Sequence, residues 1–240
     1  MSKVERQRPF EQDEVKRRSN FNPVEENFTP EQAALEASRC LNCKNPLCRK
    51  GCPVSVNIPS FIQKVKEGDI QGAGEIIRES NMLPSGCGRV CPQERQCESK
   101  CVLGIKGESV AIGALERYVG DNSAPVKTQI KENGKKVAIV GSGCAGMSAA
   151  ADLRNAGFEV SVFEALHELG GVLRYGIPPF RLPRTVLDRE IESLKEIGVK
   201  FYKNVIVGKS ITLNQLKEEG YDAIFICSGA GLPKMLNVPG

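Results

Sequence analysis

Eight of the ten cysteines in this chain fall between Cys40 and Cys101, and no other feature restricts its folding as strongly. They form two groups, Cys40-x2-Cys43-x4-Cys48-x3-Cys52-Pro53 and Cys87-x3-Cys91-Pro92-x4-Cys97-x3-Cys101. What such groups do depends on the compartment. The stretch Met1 to Arg18 is strongly charged and has no apolar core of a secretory signal, so a cytosolic protein is expected. In a reducing compartment, clustered cysteines bind metal or do redox chemistry rather than form a disulfide framework.

Thiolates are soft ligands that suit iron–sulfur clusters, and eight are enough for two cubanes. The pairs Cys52-Pro53 and Cys91-Pro92 look like the ferredoxin loops whose last cysteine crosses to the other cluster. Proline fixes φ and removes an N–H, which helps the chain leave a cluster. Zinc is the competing reading. Structural zinc favours two Cys-x2-4-Cys knuckles joined by a longer loop, whereas here three tight steps are followed by a gap of 34 residues. The spacing favours iron–sulfur.

With 240 residues the chain has room for one large or two modest domains. A formal charge of +4, with Lys and Arg spread among Glu and Asp, gives no nucleic-acid surface. No run of 18 apolar residues exists, so no membrane span is expected.

Residues 1–28 read as a polar, extended arm. Thr29-Pro30-Glu31-Gln32 starts a helix, with Thr29 as N-cap, Pro30 at N1 and Gln32 closing a capping box. Phe61, Ile62, Val65, Ile70, Ala73, Ile76 and Ile77 imply two short helices broken around Gly68-Asp69, and a further helix covers Ala111 to Val119. This first half is mostly helical and short of aromatics, so metal is expected to help define its core. The expected domains are 29–122 for the helical cysteine half, a linker over 123–136, and 137–240 for the rest. From Val137 strands alternate with helices: a strand at Val137 to Val140, a helix at Cys144 to Ala156, a strand at Val160 to Glu164, a helix at Val186 to Ile197, one or two strands at Val199 to Val207, and a buried strand at Ala223 to Cys227. That alternation predicts a doubly wound α/β sheet. The fold class is therefore α + α/β, an α-helical iron–sulfur domain followed by a Rossmann-like domain.

Gly141-Ser142-Gly143-Cys144-Ala145-Gly146 follows the first of these strands and opens a helix. The glycines permit a tight turn, approach of a pyrophosphate and close helix–strand packing, and the helix N-terminus attracts phosphate. Glu164 ends the next strand 23 residues after Gly141, where an acid can hold ribose hydroxyls. The pair Gly170-Gly171 and the run Ser228-Gly229-Ala230 look like those of FAD-containing reductases. Direct binding of NAD is the alternative.

Taken together, the two cysteine groups, Ser85 to Pro92, Ala111 to Glu116, Val137 to Glu164 and Gly170 to Pro183 resemble the glutamate synthase small (β) subunit family. The resemblance extends to the large subunit of NADH-dependent reduced ferredoxin:NADP oxidoreductase and to the N-terminal region of dihydropyrimidine dehydrogenase. It runs from about Thr29 onward. It implies two [4Fe–4S] clusters with crossed ligation, one held by Cys40, Cys43, Cys48 and Cys101. The other would be held by Cys52, Cys91, Cys97 and a Gln or Glu on the next helix, where Glu116 stands, leaving Cys87 unligated. It implies FAD on Gly141, Ser142, Gly143, Ala145, Gly146, Glu164, Gly170, Gly171, Arg174, Ser228 and Gly229. The family also carries an NADP(H)-binding domain with its own glycine fingerprint. No second fingerprint lies between Gly171 and Gly240, so the Rossmann-like domain is expected to be incomplete, with the nicotinamide site in a missing domain.

No catalytic side chain is assigned. His167, the only histidine, reads as a loop residue. Cys144 and Cys227 read as small buried hydrophobes. Arg174, Arg181, Arg184 and Tyr175 stay open between facing the flavin and forming solvated surface. Three functional classes follow: an NAD(P)H-linked oxidoreductase subunit passing electrons between FAD and the clusters to a partner subunit, a non-catalytic electron-transfer or assembly module, and a zinc-stabilised dinucleotide-binding regulator. The partner implied by resemblance is a glutamate synthase large subunit or a ferredoxin-linked flavoprotein.

Overall fold

A computed structural model describes residues 4–124, 130–231 and 235–238. Residues 125–129 of the expected linker lie outside the described residues. The chain divides into two compact units, residues 1–128 with 177–190 and residues 129–176 with 191–240.

In the first unit the arm is less extended than expected. Glu11 and Glu25 form an antiparallel bridge, and Lys16–Ser19 makes a 3-10 turn, so the arm folds back on itself. Helix α1 (Pro30–Ser38) starts at the expected capping box: Thr29 Oγ1 accepts from Gln32 N–H and Gln32 Oε1 from Thr29 N–H. After α2 (Leu47–Gly51) come α3 (Ile58–Lys66) and α4 (Ile70–Arg78). They are parted by Gly68 at φ +79° and restarted by Asp69, whose carboxylate accepts from Gly72 N–H. Helices α5 (Pro84–Val90) and α6 (Ile112–Asn122) complete the unit. The first of these had no periodic signal, being seven residues dominated by proline, glycines and small polar side chains.

Phe28, Phe61, Ile62, Ile77, Leu115 and Val119 form one apolar core, so the helical half has a hydrophobic centre of its own. Cys40, Cys48, Cys52 and Cys101 pack on its edge. Burial of each such side chain contributes on the order of 2 kcal/mol.

The arm is held down by charge. Glu36, with no exposed surface, accepts from Arg39 Nη1 at 2.7 Å, Gln7 N–H at 2.7 Å and Ala111 N–H at 2.7 Å. Arg39 in turn donates to the carbonyls of Val4, Glu108 and Ser109. One buried ion pair thus joins α1, the arm and the segment before α6. Its full set of partners offsets the desolvation of two charges.

The second unit holds β1 (Lys136–Val140), α7 (Cys144–Asn155), β2 (Glu159–Phe163), α8 (Val172–Tyr175), the C-terminal part of α9 (Arg184–Glu196), β3 (Lys200–Tyr202), α10 (Leu213–Glu218) and β4 (Ala223–Ile226). The strands are parallel in the order β3-β2-β1-β4, with Val137 opposite both Val160 and Ala223. The region 199–207 yields one of the one or two expected strands, β3, followed by a bridge between Val207 and Ile211. One expectation needs correction. Strand β4 is not buried: Phe225 is 43% and Ile226 61% exposed. It is an edge strand of this sheet, and its continuous apolar run gave no sign of that. Among the described residues no helix is long and apolar enough to cross a membrane.

Two outcomes follow. Glu36→Ala leaves Arg39 buried without its carboxylate and should lower the unfolding free energy by about 3–5 kcal/mol in denaturant titration, with the arm cut faster by protease. Glu190, whose carboxylate accepts from Gly86 N–H at 3.0 Å, is pushed up by burial to about 7 from its ordinary 4.5, against the opposing pull of Gly86, Ser85, Arg189 and Arg89. The unfolded chain loses this proton first, so stability should fall as pH rises from 4.5 to about 7. Glu190→Gln should flatten that part of the profile, and an unaltered slope would show that the group is not responsible.

Candidate cofactor sites

The first four proposed ligands come from distant stretches and meet. Cys40 and Cys43, on the loop between α1 and α2, and Cys48, in the first turn of α2, line one pocket together with Cys101. Apolar Leu41, Leu47, Ile58, Ile62 and Val110 form much of its remaining wall. Burial raises the thiol of Cys40 and raises that of Cys48 to about 11, with the neighbouring cysteines adding to the rise. Such thiols are reluctant to ionise unless a cation stands among them, which suits metal ligands and not free nucleophiles. Among the described residues no three His, Cys, Asp or Glu side chains converge on a point that would hold a single ion. A cubane makes no such demand, because each thiolate takes a different iron.

The second set is assembled by α5 and α6. A Cβ at Gly88 would lie 2.5 Å from Arg117 N, and one at Gly120 would lie 2.6 Å from Ser85 N. The two helices therefore touch backbone to backbone, which only glycine allows at those positions. Their contact brings Cys91 and Cys87 beside Glu116. The Glu116 carboxyl is 9% exposed and accepts from Asn81 Nδ2 at 2.7 Å. Burial pushes it up to about 8, the Asn81 hydrogen bond pulls it down, and Cys91 and Glu190 push it further up. It is not the solvent-facing helix residue that its sequence neighbours suggest. Burial also raises the Cys97 thiol, with Glu116, Glu98 and Cys52 contributing. Cys52, Cys91, Cys97 and Glu116 thus share one electrostatic neighbourhood.

Cys87 stands in the same neighbourhood. Its thiol donates to Cys91, which raises Cys87 and lowers Cys91, and lies 3.5 Å from Asn81 Oδ1. Asn81 was missed in the sequence. It also accepts from Leu83 N–H, so one amide serves the start of α5, Cys87 and Glu116. Glu98 was missed too: it accepts from Gly113 N–H at 3.0 Å and Arg6 Nη2 at 2.7 Å, tying the Cys97–Cys101 turn to α6 and the arm.

In the second unit the glycine fingerprint has a distinct task at each position. Gly141 is at φ +109°, and a Cβ there would be 2.6 Å from the carbonyl oxygen of Cys227. A Cβ at Gly146 would run into the carbonyl oxygen of Gly141, so α7 packs on β1 only because that side chain is absent. Around Gly143 a Cβ meets nothing within 4 Å. This open position is the N-cap of α7, whose first N–H groups have no side-chain cap, and it is where a pyrophosphate fits. Gly171, at φ +52°, crosses close to Gly143, with a Cβ position 2.9 Å from its Cα.

Glu164 is buried and holds this loop together. It accepts from Ser142 N–H at 2.9 Å, Ser142 Oγ at 2.5 Å and Leu166 N–H at 2.9 Å, and Ser142 Oγ accepts from Gly170 N–H. Arg174 donates to the carbonyl of Leu169. Ala145 is exposed at the start of α7, and Gly229, at φ +76°, is exposed after Ser228. Cys144 is exposed rather than buried, because the first helical residue points out of the turn; Cys227 is half-buried and donates to the carbonyl of Val140. His167 sits in its loop beside the Tyr175 hydroxyl at 3.3 Å.

Residues 17–128 match the family described as dihydropyrimidine dehydrogenase domain II, 4Fe-4S cluster, and residues 139–189 match the NAD(P)-binding Rossmann-like domain. The glutamate synthase (NADPH) small chain of Halomonas elongata is 40% identical over 231 residues, 94% of this chain and 49% of that protein. The corresponding small chain of Escherichia coli is 40% identical over 218 residues, 89% of this chain and 46% of its own length. The chain is similar to glutamate synthase small chains along most of its own length. It spans about half the length of the curated relatives it matches. The NAD-dependent dihydropyrimidine dehydrogenase subunit PreT of Escherichia coli is also similar, 40% identical over 213 residues, 86% of this chain and 52% of its own. In this chain the iron–sulfur match contains all eight clustered cysteines and Glu116, and the Rossmann match contains Gly141 to Gly171. Iron–sulfur clusters and FAD are the cofactors that these sites fit.

Gly146→Ala tests the cradle. The added methyl forces α7 away from the Gly141 carbonyl, and flavin retention should fall roughly tenfold or more, read as the flavin-to-protein absorbance ratio, with iron content unchanged.

Proposed function

We propose that this chain is the flavin-and-cluster part of an electron-transfer oxidoreductase whose electrons leave for a partner subunit. The observation that carries the reading is the shared pocket of Cys40, Cys43, Cys48 and Cys101, two segments of chain with no other reason to converge on thiols. These four are proposed to hold one [4Fe–4S] cluster, and Cys52, Cys91, Cys97 and Glu116 the other, with Cys87 left outside. FAD is proposed to lie on Gly141 to Gly146, Glu164, Gly170 and Gly171. When bound, FAD accepts electrons in pairs and releases them singly, which is the conversion that a chain pairing it with clusters can use.

The protein's own contribution is positional. The open N-cap at Gly143 receives phosphate charge, and the Glu164–Ser142–Gly170 bonds keep the glycine loops from closing over it. At the helical site Asn81 fixes one oxygen of Glu116, leaving a carboxylate, a harder donor than thiolate, among three cysteines. NADP(H) is proposed to be bound by the part of the relatives' length that this chain does not span. The relatives are named as a small chain and a subunit, so the proposed partner is a larger subunit of the glutamate synthase type or a ferredoxin-linked flavoprotein. Free thiols and thiolate-bound clusters fit a reducing compartment, and the proposed setting is the cytosol.

The purified chain should show flavin bands and broad absorption near roughly 400 nm that reductant bleaches. Cys43→Ala should lose iron and destabilise the helical half; full iron content would sink the ligand set. Glu116→Ala should alter or lose one cluster and spare the other, and an unchanged iron count and spectrum would remove Glu116 from it. A colourless preparation containing zinc would replace the whole reading with a zinc-stabilised dinucleotide-binding protein.

A further inference from the structure

Cys87 is the one clustered cysteine that the proposed ligand sets leave out, yet the fold places it beside them. It stands one turn before Cys91, whose N–H donates to the Cys87 carbonyl at 3.0 Å, so the two thiols share a face of α5. A Cβ at Gly88 would lie 2.5 Å from Arg117 N. Residues 88 and 117 therefore touch, and Cys87 and Glu116 are the residues just before them on the two helices.

Asn81 joins the two side chains. Its Nδ2 donates to Glu116 Oε1 at 2.7 Å, and its Oδ1 lies 3.5 Å from Cys87 Sγ while accepting from Leu83 N–H at 3.0 Å. Thiol and carboxyl thus stand at opposite ends of one buried amide. The backbone at Cys87 is held at both polar atoms, its N–H on the Leu83 carbonyl and its carbonyl on Gln93 Nε2. The thiol itself can turn, about a torsion with three staggered wells.

Glu116 has one oxygen left to give. Oε1 is taken by Asn81, and among the described residues Oε2 has no hydrogen-bond partner, although the residue is only 9% exposed. A buried carboxylate oxygen left bare is unfavourable, and a cation is the partner that satisfies it. Carboxylate is nevertheless a hard donor, while Cys52, Cys91 and Cys97 make the site a soft one. The iron on Glu116 is then the most weakly held of its cluster, and the spare soft donor of the neighbourhood is Cys87.

We propose, resting on the reading of Cys52, Cys91, Cys97 and Glu116 as ligands of the second cluster, that Cys87 is a reserve ligand for the iron on Glu116. In the exchange the iron–oxygen bond to Glu116 breaks and an iron–sulfur bond to Cys87 forms. The thiol proton passes to the released carboxylate, so charge is conserved and neither oxidant nor reductant is consumed. At rest the Cys87 thiol is engaged by Cys91 and Asn81, which keeps it close to the iron without displacing Glu116.

The test uses the whole chain, loaded anaerobically, with iron counted per chain and the reduced protein examined by electron paramagnetic resonance. Glu116→Ala should keep its full iron count while the resonance of one cluster shifts. The double variant E116A/C87A should lose at least one iron from that cluster and spare the other. Cys87→Ala, which keeps Glu116, should retain count and resonance at rest but release one iron to a chelator about tenfold faster than the parent. Circular dichroism matching the parent shows that a variant has folded. Equal behaviour of E116A and E116A/C87A, or an unchanged release rate in C87A, overturns the proposal. Loss of iron from E116A with Cys87 present overturns it too, and leaves Glu116 standing as a ligand. Loss of a cluster from C87A at rest would make Cys87 the resident ligand, and an unaltered count and resonance in E116A would take Glu116 out of the set; either result overturns the ligand reading together with the reserve role.

Discussion

Helices α5 and α6 approach until backbone meets backbone at Gly88 and Gly120, and the second proposed ligand set depends on that approach. Cys91 belongs to the end of one helix and Glu116 to the middle of the other. A side chain larger than hydrogen at either glycine would part the helices and open a gap between thiol and carboxyl. Asn81 spans the junction from outside both helices. The same contact buries Glu116, and burial is what turns an ordinary helix carboxylate into one that holds its proton up to about 8. A cation in the site would remove that proton and satisfy the charge at once.

The two cofactor regions solve similar problems by opposite means. Near the clustered cysteines, polar side chains reach in to hold turns that have little regular structure: Glu98 holds Gly113 and Asn81 holds Leu83. In the dinucleotide cradle the work is done by missing side chains. Gly141, Gly146 and Gly171 let three segments of backbone pass within contact distance, and Glu164 with Ser142 staples them. The first arrangement is ready for a group that brings its own bonds. The second is ready for one that needs space and unspent N–H donors.

Signals that act over a few residues were readable in the sequence. The Thr29–Gln32 capping box, the break at Gly68-Asp69 and the strand–glycine–helix order at Val137 to Gly146 lie where the pattern puts them. Pairings across long separations were not readable. The residue patterns around Glu116 did not show its burial, because its partner Asn81 is 35 residues away, and Cys144 looked buried because its neighbours are small. The spacing of the cysteines by itself shows two groups; that three of the first share a pocket with Cys101 of the second came from the family resemblance, and the structure brings those four together. Strand β4 misled for a different reason: an edge strand and a central one can share the same residues, and only the number of neighbours tells them apart.

The buried Glu36 also sets an order of events in synthesis. Two of its donors belong to the arm and to α1, but the third is the N–H of Ala111, and Arg39 waits for the carbonyls of Glu108 and Ser109. Until the ribosome has delivered that segment, α1 carries a buried-type ion pair with half its partners missing. Cys101 arrives only shortly before. Cys40, Cys43 and Cys48 therefore spend a long interval as three thiols on an unfinished domain, open to wrong metals and to oxidation. On the proposed ligand set, a cluster can be closed in only after the arm and the second cysteine loop have both been made.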